Sequence, residues 1–259
     1  VTPPGAYTLG PGQEIFPNYC AVVPNTTEFD VGTIQSWMTH GSSRDLMVYR
    51  GGTAPADGSC VLGAADMIFM ASISDQIVEL KMPDGVGNAL KPGTQLIVSM
   101  HFVNNGTSTL TPQVKLNFFR AATYKYEAGT MVSFNTSINV PGGTSTAPGT
   151  QTVSGTCTGS AGSQFFAIGT HMHALGKTAD VNYVNGATTN VVHTTNWAYP
   201  DVGVWPAAPF LTLQNGDSLD YSCTYSNPGT DPITVGETQS NEQCMMVAHY
   251  FPAGSASCM

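Results

Sequence analysis

The chain has 259 residues, 41% hydrophobic and only 10% charged, with a formal net charge of −9. Its eight Lys and Arg are spread thinly, so no basic cluster exists to neutralise a phosphate backbone or to hold an anionic bilayer surface. Nucleic acid and an anionic membrane surface are therefore not expected as partners; no apolar run is long enough to span a bilayer, and "VTPPGAYTLG" reads as a mature or trimmed N-terminus.

With 28 Gly and 17 Pro, the composition suits many short strands joined by turns. In chain order, "SISDQIVELKM" comes nearest to a helical pattern, yet Ile77, Val78 and Leu80 serve a strand equally. "QLIVSMHFV" alternates as a half-buried strand, and "PQVKLNFFRA" closes a first set. A second set begins at "TYKYEAGTMVSF". "VPGGTSTAPGTQTVSGT" reads as a long loop within the second half. "QFFAIGTHMHAL", "FLTLQNGDSLDYSCTY" and "CMMVAHYF" are further strands, separated by turns at "VNG", "QNGD" and "SNPGTD". The expectation is an all-β protein of two antiparallel β-sandwich domains, residues 1–122 and 123–259.

The six cysteines, Cys20, Cys60, Cys157, Cys223, Cys244 and Cys258, form no C-x-x-C pair. An even, widely spaced set indicates disulfides and an oxidising compartment: secreted, periplasmic or cell-surface. Spacing alone leaves the pairing open. "NTT", "NGT" and "NTS" at Asn25, Asn105 and Asn135 are glycosylation acceptors only if the source glycosylates.

Chemistry concentrates in "FFAIGTHMHALGK". On a strand, His171 and His173 point to one face, about 7 Å apart at Cα for a rise of about 3.3 Å per residue. Two imidazoles so placed can share a metal ion, which by ligand type alone would be Zn, Cu, Fe or Ni. The bland alternative is a pair of polar residues on a solvated strand. "NEQCMMVAHY" adds Gln243, Met245, Met246 and His249 on another strand, with Gln243, Met245 and His249 on one face if no bulge intervenes. Thioether sulfur favours Cu(I), and imidazole tolerates both copper states, so a His–Met set points to copper. Core filling is the competing role for the methionines.

These segments carry a family resemblance. "HMHALGK" resembles the H-x-H-x-L-G-K segment of the copper type II, ascorbate-dependent monooxygenases, the group of peptidylglycine α-hydroxylating and dopamine β-monooxygenases. "NGDSLDYSCTYSN" and "GETQSNEQCMM" resemble two further segments of the family in register, and "VSMHFVNNG" resembles a stretch of its first domain. The resemblance implies two jelly-roll-like domains, each with a copper. The second-domain copper, held by the two histidines of H-x-H and the Met of E-M-C, activates O2 for C–H hydroxylation. The first-domain copper, held by three histidines, supplies an electron. The resemblance also implies disulfides Cys20–Cys60, Cys157–Cys258 and Cys223–Cys244; the last closes a loop of about 20 residues, worth about 3 kcal/mol in the chain-entropy model.

The chain departs from that pattern. Gln243 stands at the methionine position, a harder donor, with Met245 two residues on as a substitute. Arg44 and Asp45 align with the family's adjacent first-domain histidines, as a surface ion pair or with Arg44 filling the vacated site. His101 remains there, with His40 nearby, so a second metal site would draw on His40, His101 and Met38 or Met100. Gly169 replaces an Arg that pairs with a substrate carboxylate in the peptide hydroxylase. His193 is placed in a loop or strand edge outside the motif, and His249 is either an outer partner of the site or a partly exposed strand residue.

The expected protein is thus an extracytoplasmic copper protein with one copper ion on His171 and His173, completed by Gln243 or Met245. If catalytic, it takes O2, a small-molecule substrate and an external reductant such as ascorbate. The rival readings are a copper-delivery protein with a copper-exchange partner and a structural β-sandwich without metal. No nucleophile elbow or H-E-x-x-H helix is present to support a hydrolase.

Overall fold

The computed structural model describes residues 1–3, 7–39, 43–51, 60, 65–72, 77–197 and 202–258. Among these the chain is all β, with no helix, and it divides into two compact units, residues 1–130 and 131–259.

The first unit contains β1 (Glu14–Ile15), β2 (Asn18–Val22), β3 (Phe29–Met38), β4 (Ser43–Arg50), β5 (Asp66–Ser72), β6 (Ile77–Lys81), β7 (Gly85–Leu90), β8 (Gln95–Val103), β9 (Val114–Arg120) and β10 (Tyr124–Glu127). One sheet runs β1-β8-β4-β5 with β2 also on β8; the other runs β10-β7-β3-β6 with β9 on β3. All pairings are antiparallel except β10 with β7. Tyr124–Glu127 joins the first unit's sheet, and Glu127 accepts from Arg50 at the end of β4. The segment nearest to a helical pattern contains β6, which alternates against β3.

The second unit is built from β11 (Gly129–Phe134), β12 (Asn139–Val140), β13 (Gly149–Gly159), β14 (Gln164–Met172), β15 (Gly176–Asn185), β16 (Thr188–Asn196), β17 (Val202–Val204), β18 (Leu211–Thr212), β19 (Ser218–Asn227), β20 (Ile233–Thr234), β21 (Cys244–Phe251) and β22 (Ala256–Cys258). One sheet runs β11-β21-β14-β17 with β18 on β14, the other β16-β15-β19-β13-β22, and β12 and β20 form a small ribbon. Phe165, Ile168 and Met172 from the first sheet bury against Val181, Tyr221 and Tyr225 from the second. Each such side chain, fully buried, contributes roughly 1.5–3 kcal/mol.

The stretch expected to be one long loop is in part β13, at eleven residues the longest strand, paired with β19 along ten positions. Its outward positions Thr152, Ser154 and Thr156 are exposed, and Thr152 Oγ1 meets Thr224 Oγ1 at 3.0 Å. Among its inward positions only Val153 and Cys157 are buried hydrophobic residues. A Cβ on Gly155 would collide with the Tyr221 ring, so the neighbouring strand fills the space that this one leaves. The hydrophobic signal of β13 is therefore carried by β19.

Three disulfides complete the units: Cys20–Cys60, Cys157–Cys258 and Cys223–Cys244. The second links register partners of β13 and β22. The third crosses the core from β19 to the first residue of β21.

Candidate metal centre

His171 is the penultimate residue of β14, and His173 follows the strand end. β14 carries a bulge between Phe165 and Ala167. The extra residue shifts the alternation, so Phe165 faces the core and so do Ile168 and Met172. The partners of Ile168, Thr170 and Met172 on β21 are Ala248, Met246 and Cys244, also core residues. His171 consequently stands on the opposite sheet face, directly across from Met245. Cross-strand neighbours have Cβ atoms about 4.5–5.5 Å apart, within reach of long side chains.

Both imidazoles are buried, His171 at 2% and His173 at 0% exposure. Their ring centroids are 5.2 Å apart and nearly perpendicular, and each offers a ring nitrogen within 4.8 Å of the other's. Trp197 packs edge-on against His171 at 5.6 Å. Gly176 makes room for that ring, since a Cβ there would lie 2.7 Å from Met172 Cε and 2.8 Å from Trp197 Cδ1. The glycine of the H-x-H-x-L-G-K segment thus has a packing reason.

The loop before β21 holds His173 in place. His173 Nδ1 lies 3.0 Å from the Asn241 carbonyl, which can only accept, so Nδ1 carries the proton. In the neutral ring the lone pair then sits on Nε2, the usual arrangement of a metal-ligating histidine. The carboxylate of Glu242, 1% exposed, accepts from the backbone N–H of His173 at 2.9 Å and of Leu175 at 2.6 Å. Thr238 Oγ1 donates to Asn241 Oδ1 at 2.7 Å. Gly236 lies so close to Asn241 that a Cβ would be 2.4 Å from its Oδ1. Sequence reading saw Glu242 only as part of a motif and Asn241 not at all, because both act on a loop 67 to 69 residues away. The spacing G-x-T-x-x-N-E was the available signal.

Gln243 is half-buried and precedes the strand, and its carbonyl accepts from Tyr225 Oη at 2.8 Å. Burial, and then the nearby Glu242 carboxylate, raise the Tyr225 hydroxyl above its ordinary range, which keeps it a donor. His249 shares the sheet face of Met245 but pairs with Ala167, four residues from His171, or about 13 Å along the strand. It is neither beside the histidine pair nor exposed: it is 7% accessible, lies 6.0 Å from the Phe166 ring, and burial pushes its imidazole down to about 4. His193 lies in β16, the edge strand of its sheet, buried rather than in a loop.

In the first unit, His101 is buried on β8 with carboxylates at both ring nitrogens. Glu14 Oε2 is 2.9 Å from Nε2 and Asp45 Oδ2 is 3.7 Å from Nδ1, and Phe16 stacks on the ring at 4.2 Å. Asp45 is therefore not half of a surface pair; it is 6% exposed and is the register partner of His101. Met100 alternates to the other side of β8, opposite Leu46, so it does not share a face with His101. Met38 is a buried core residue on β3 in the other sheet. His40 and the Arg44 side chain lie outside the described residues.

Among solved structures, the chain is similar to the major capsid protein P2 of bacteriophage PM2, at 10% identity over 92% of this chain and 97% of that one, with a TM-score of 0.35. It is also similar to a triple jelly roll protein of an archaeal virus, at 5% identity over 95% and 59% of the two chains, with a TM-score of 0.27. At such scores neither likeness carries an argument. No curated protein matches the chain. The family described as copper type II ascorbate-dependent monooxygenase, C-terminal domain, matches residues 124–259, a span holding the histidine pair, the Asn241–Glu242 clamp and Met245. That span is more than half of the chain, and the chain belongs to the copper type II ascorbate-dependent monooxygenases through its C-terminal domain.

Proposed function

We propose that His171, His173 and Met245 hold one copper ion, and that the protein is an extracytoplasmic monooxygenase hydroxylating a C–H bond with electrons from an external reductant such as ascorbate. The observation that carries this reading is the His173 ring, buried beside His171 with its Nδ1–H given to the Asn241 carbonyl. Two imidazole nitrogens and a thioether are a donor set suited to both copper oxidation states. Met245 is preferred to Gln243 because it is the register partner of His171 on the same sheet face.

Copper bound there would supply the O2 chemistry: one oxygen atom enters the C–H bond and the other leaves as water, consuming two electrons and two protons. The chain supplies the rest. Glu242 and Asn241 fix the loop and the ring orientation of His173, and Trp197 packs edge-on against His171. The three disulfides fit an oxidising compartment. One copper rather than two is favoured by the surroundings of His101, whose Nε2 meets the Glu14 carboxylate at 2.9 Å and whose Nδ1 has the Asp45 carboxylate 3.7 Å away.

Copper titration with EPR and X-ray absorption tests the reading. One equivalent of type 2 copper, with sulfur scattering after reduction that disappears in Met245→Ala and persists in Gln243→Ala, is expected. Ascorbate-dependent O2 uptake coupled to a hydroxylated product separates the enzyme from a copper carrier, which would bind the ion and yield no product.

A further inference from the structure

Residues 1–130 hold six methionines, and these divide by position. Met38, Met82 and Met100 are core residues, 1%, 5% and 2% exposed, the usual role of a flexible apolar side chain. Met47, Met67 and Met70 are only half-buried, and they lie together. On β4, Leu46 and Val48 face the core, so Met47 and Tyr49 stand on the outer face of their sheet. Met70 is the register partner of Met47 on β5. A bulge there passes over Ile68 and returns Met67 to the outer face, opposite Tyr49. The four side chains form a two-by-two block in which cross-strand Cβ atoms are about 4.5–5.5 Å apart.

Tyr49 aims one of the sulfurs. Its hydroxyl donates to Met47 Sδ at 3.3 Å, which turns that thioether along the strand toward the Tyr49–Met67 row. Burial raises the Tyr49 hydroxyl above its ordinary range, so it stays protonated and a donor. A thioether sulfur has two lone pairs, so Met47 keeps one for a metal ion. The block contains no carboxylate, imidazole or amide, the donors that harder divalent cations require. Three neutral, soft sulfurs select Cu(I) instead. His101, further along the same face, has Glu14 at Nε2 and Asp45 near Nδ1 and is not one of the donors.

We propose that Met47, Met67 and Met70 form a Cu(I) site on the first unit, distinct from the histidine pair and without affinity for Cu(II). Nothing in it rests on the copper reading of His171. The two sites differ in their response to protons. An imidazole of ordinary pKa loses about 25-fold of its neutral form between pH 7 and pH 5, and metal affinity falls with it. A thioether has no proton to lose in that range.

The test uses the full chain carrying His171→Ala and Met245→Ala, which removes donors of the second-unit centre. It is titrated with Ag(I), a redox-inert soft ion, and with Cu(I) kept reduced by ascorbate under argon. One equivalent of either ion is expected to bind, with sulfur scattering in X-ray absorption of the Cu(I) form. Affinity should change by less than about three-fold between pH 7 and pH 5, well short of the imidazole response. Met47→Leu with Met70→Leu should weaken both ions by more than about 100-fold, since two ligands are lost rather than an outer partner. Leucine conserves the volume of methionine, and thermal melting checks that the fold is kept. The control Met38→Leu with Met82→Leu should leave both affinities unchanged. Absence of binding, nitrogen scattering alone, a loss of about 25-fold at pH 5, or unchanged affinity in the Met47 and Met70 variant overturns the proposal. The histidine pair is tested separately, with Cu(II) and EPR, so either site can fail while the other stands.

Discussion

His101 in the first unit and His173 in the second are both buried imidazoles, and the difference between them lies in what meets the ring nitrogens. His101 faces Glu14 and Asp45, one carboxylate at each nitrogen. His173 gives Nδ1 to a neutral backbone carbonyl, while the nearby carboxylate of Glu242 is occupied by two backbone N–H groups. The first arrangement engages Nε2 in a hydrogen bond and sets a second carboxylate near Nδ1, the two positions where a metal would approach. The second orients the ring and leaves its basic nitrogen directed elsewhere. A histidine on a strand becomes a ligand candidate through the neutrality of its orienting partner as much as through its position.

The strongest way to break this contrast is to remove the rings. His171→Ala and His173→Ala should each weaken copper binding by more than about 100-fold, beyond the 10–100-fold typical of losing an outer partner. His101→Gln should leave copper stoichiometry unchanged. Metal analysis and EPR on the three variants decide it, and copper loss in the His101 variant would erase the distinction.

A third environment sharpens it. Burial depresses His249 from 6.5 to about 4. Between those values the unfolded chain binds the extra proton, so stability rises with pH. About 3 kcal/mol is fully present above pH 6.5 and is lost as pH falls through 4. Urea melts at pH 4 and pH 7 should show this slope in the wild type and a shallower one in His249→Gln.

Glu242→Gln comes next. An amide retains one acceptor for the His173 and Leu175 N–H groups, and the weakened clamp should cost about 1.5–3 kcal/mol in urea melts. Copper affinity should fall by about 10–100-fold. Glu242→Asp, which keeps the charge, should recover part of the affinity. A melt shift with unchanged copper binding would reduce Glu242 to a purely structural role.

The smallest effect belongs to the first unit. Glu14→Gln replaces the carboxylate at His101 Nε2 with an amide, and should lower stability by about 1 kcal/mol without altering copper content.

How much of this was legible in the sequence depends on whether a signal is local. β8 and β21 coincide with the apolar runs "QLIVSMHFV" and "CMMVAHYF" because their own side chains carry the signal, although both strands are buried along nearly their whole length rather than on one face. β13 was hidden because Tyr221 fills the space at Gly155. The parallel pairing of Tyr124–Glu127 with β7 left no local signature in the sequence. At the site, His171, His173 and Met245 could be read from spacing, and Gln243 was marked by its position in the motif. The Asn241 carbonyl, the Glu242 clamp and the edge-on Trp197 arise from long-range contacts with no local period.

The inserted residue at Phe166 acts as a frame switch for the strand that bears the histidine pair. Upstream of it odd-numbered side chains are internal; downstream the parity inverts. Deleting Phe166 would force a choice between expelling Phe165 from the interior and rotating His171 into it. Substitutions at this point should therefore be tolerated far better than deletions, and a one-residue shortening would disable the centre while leaving every one of its donor residues in the chain.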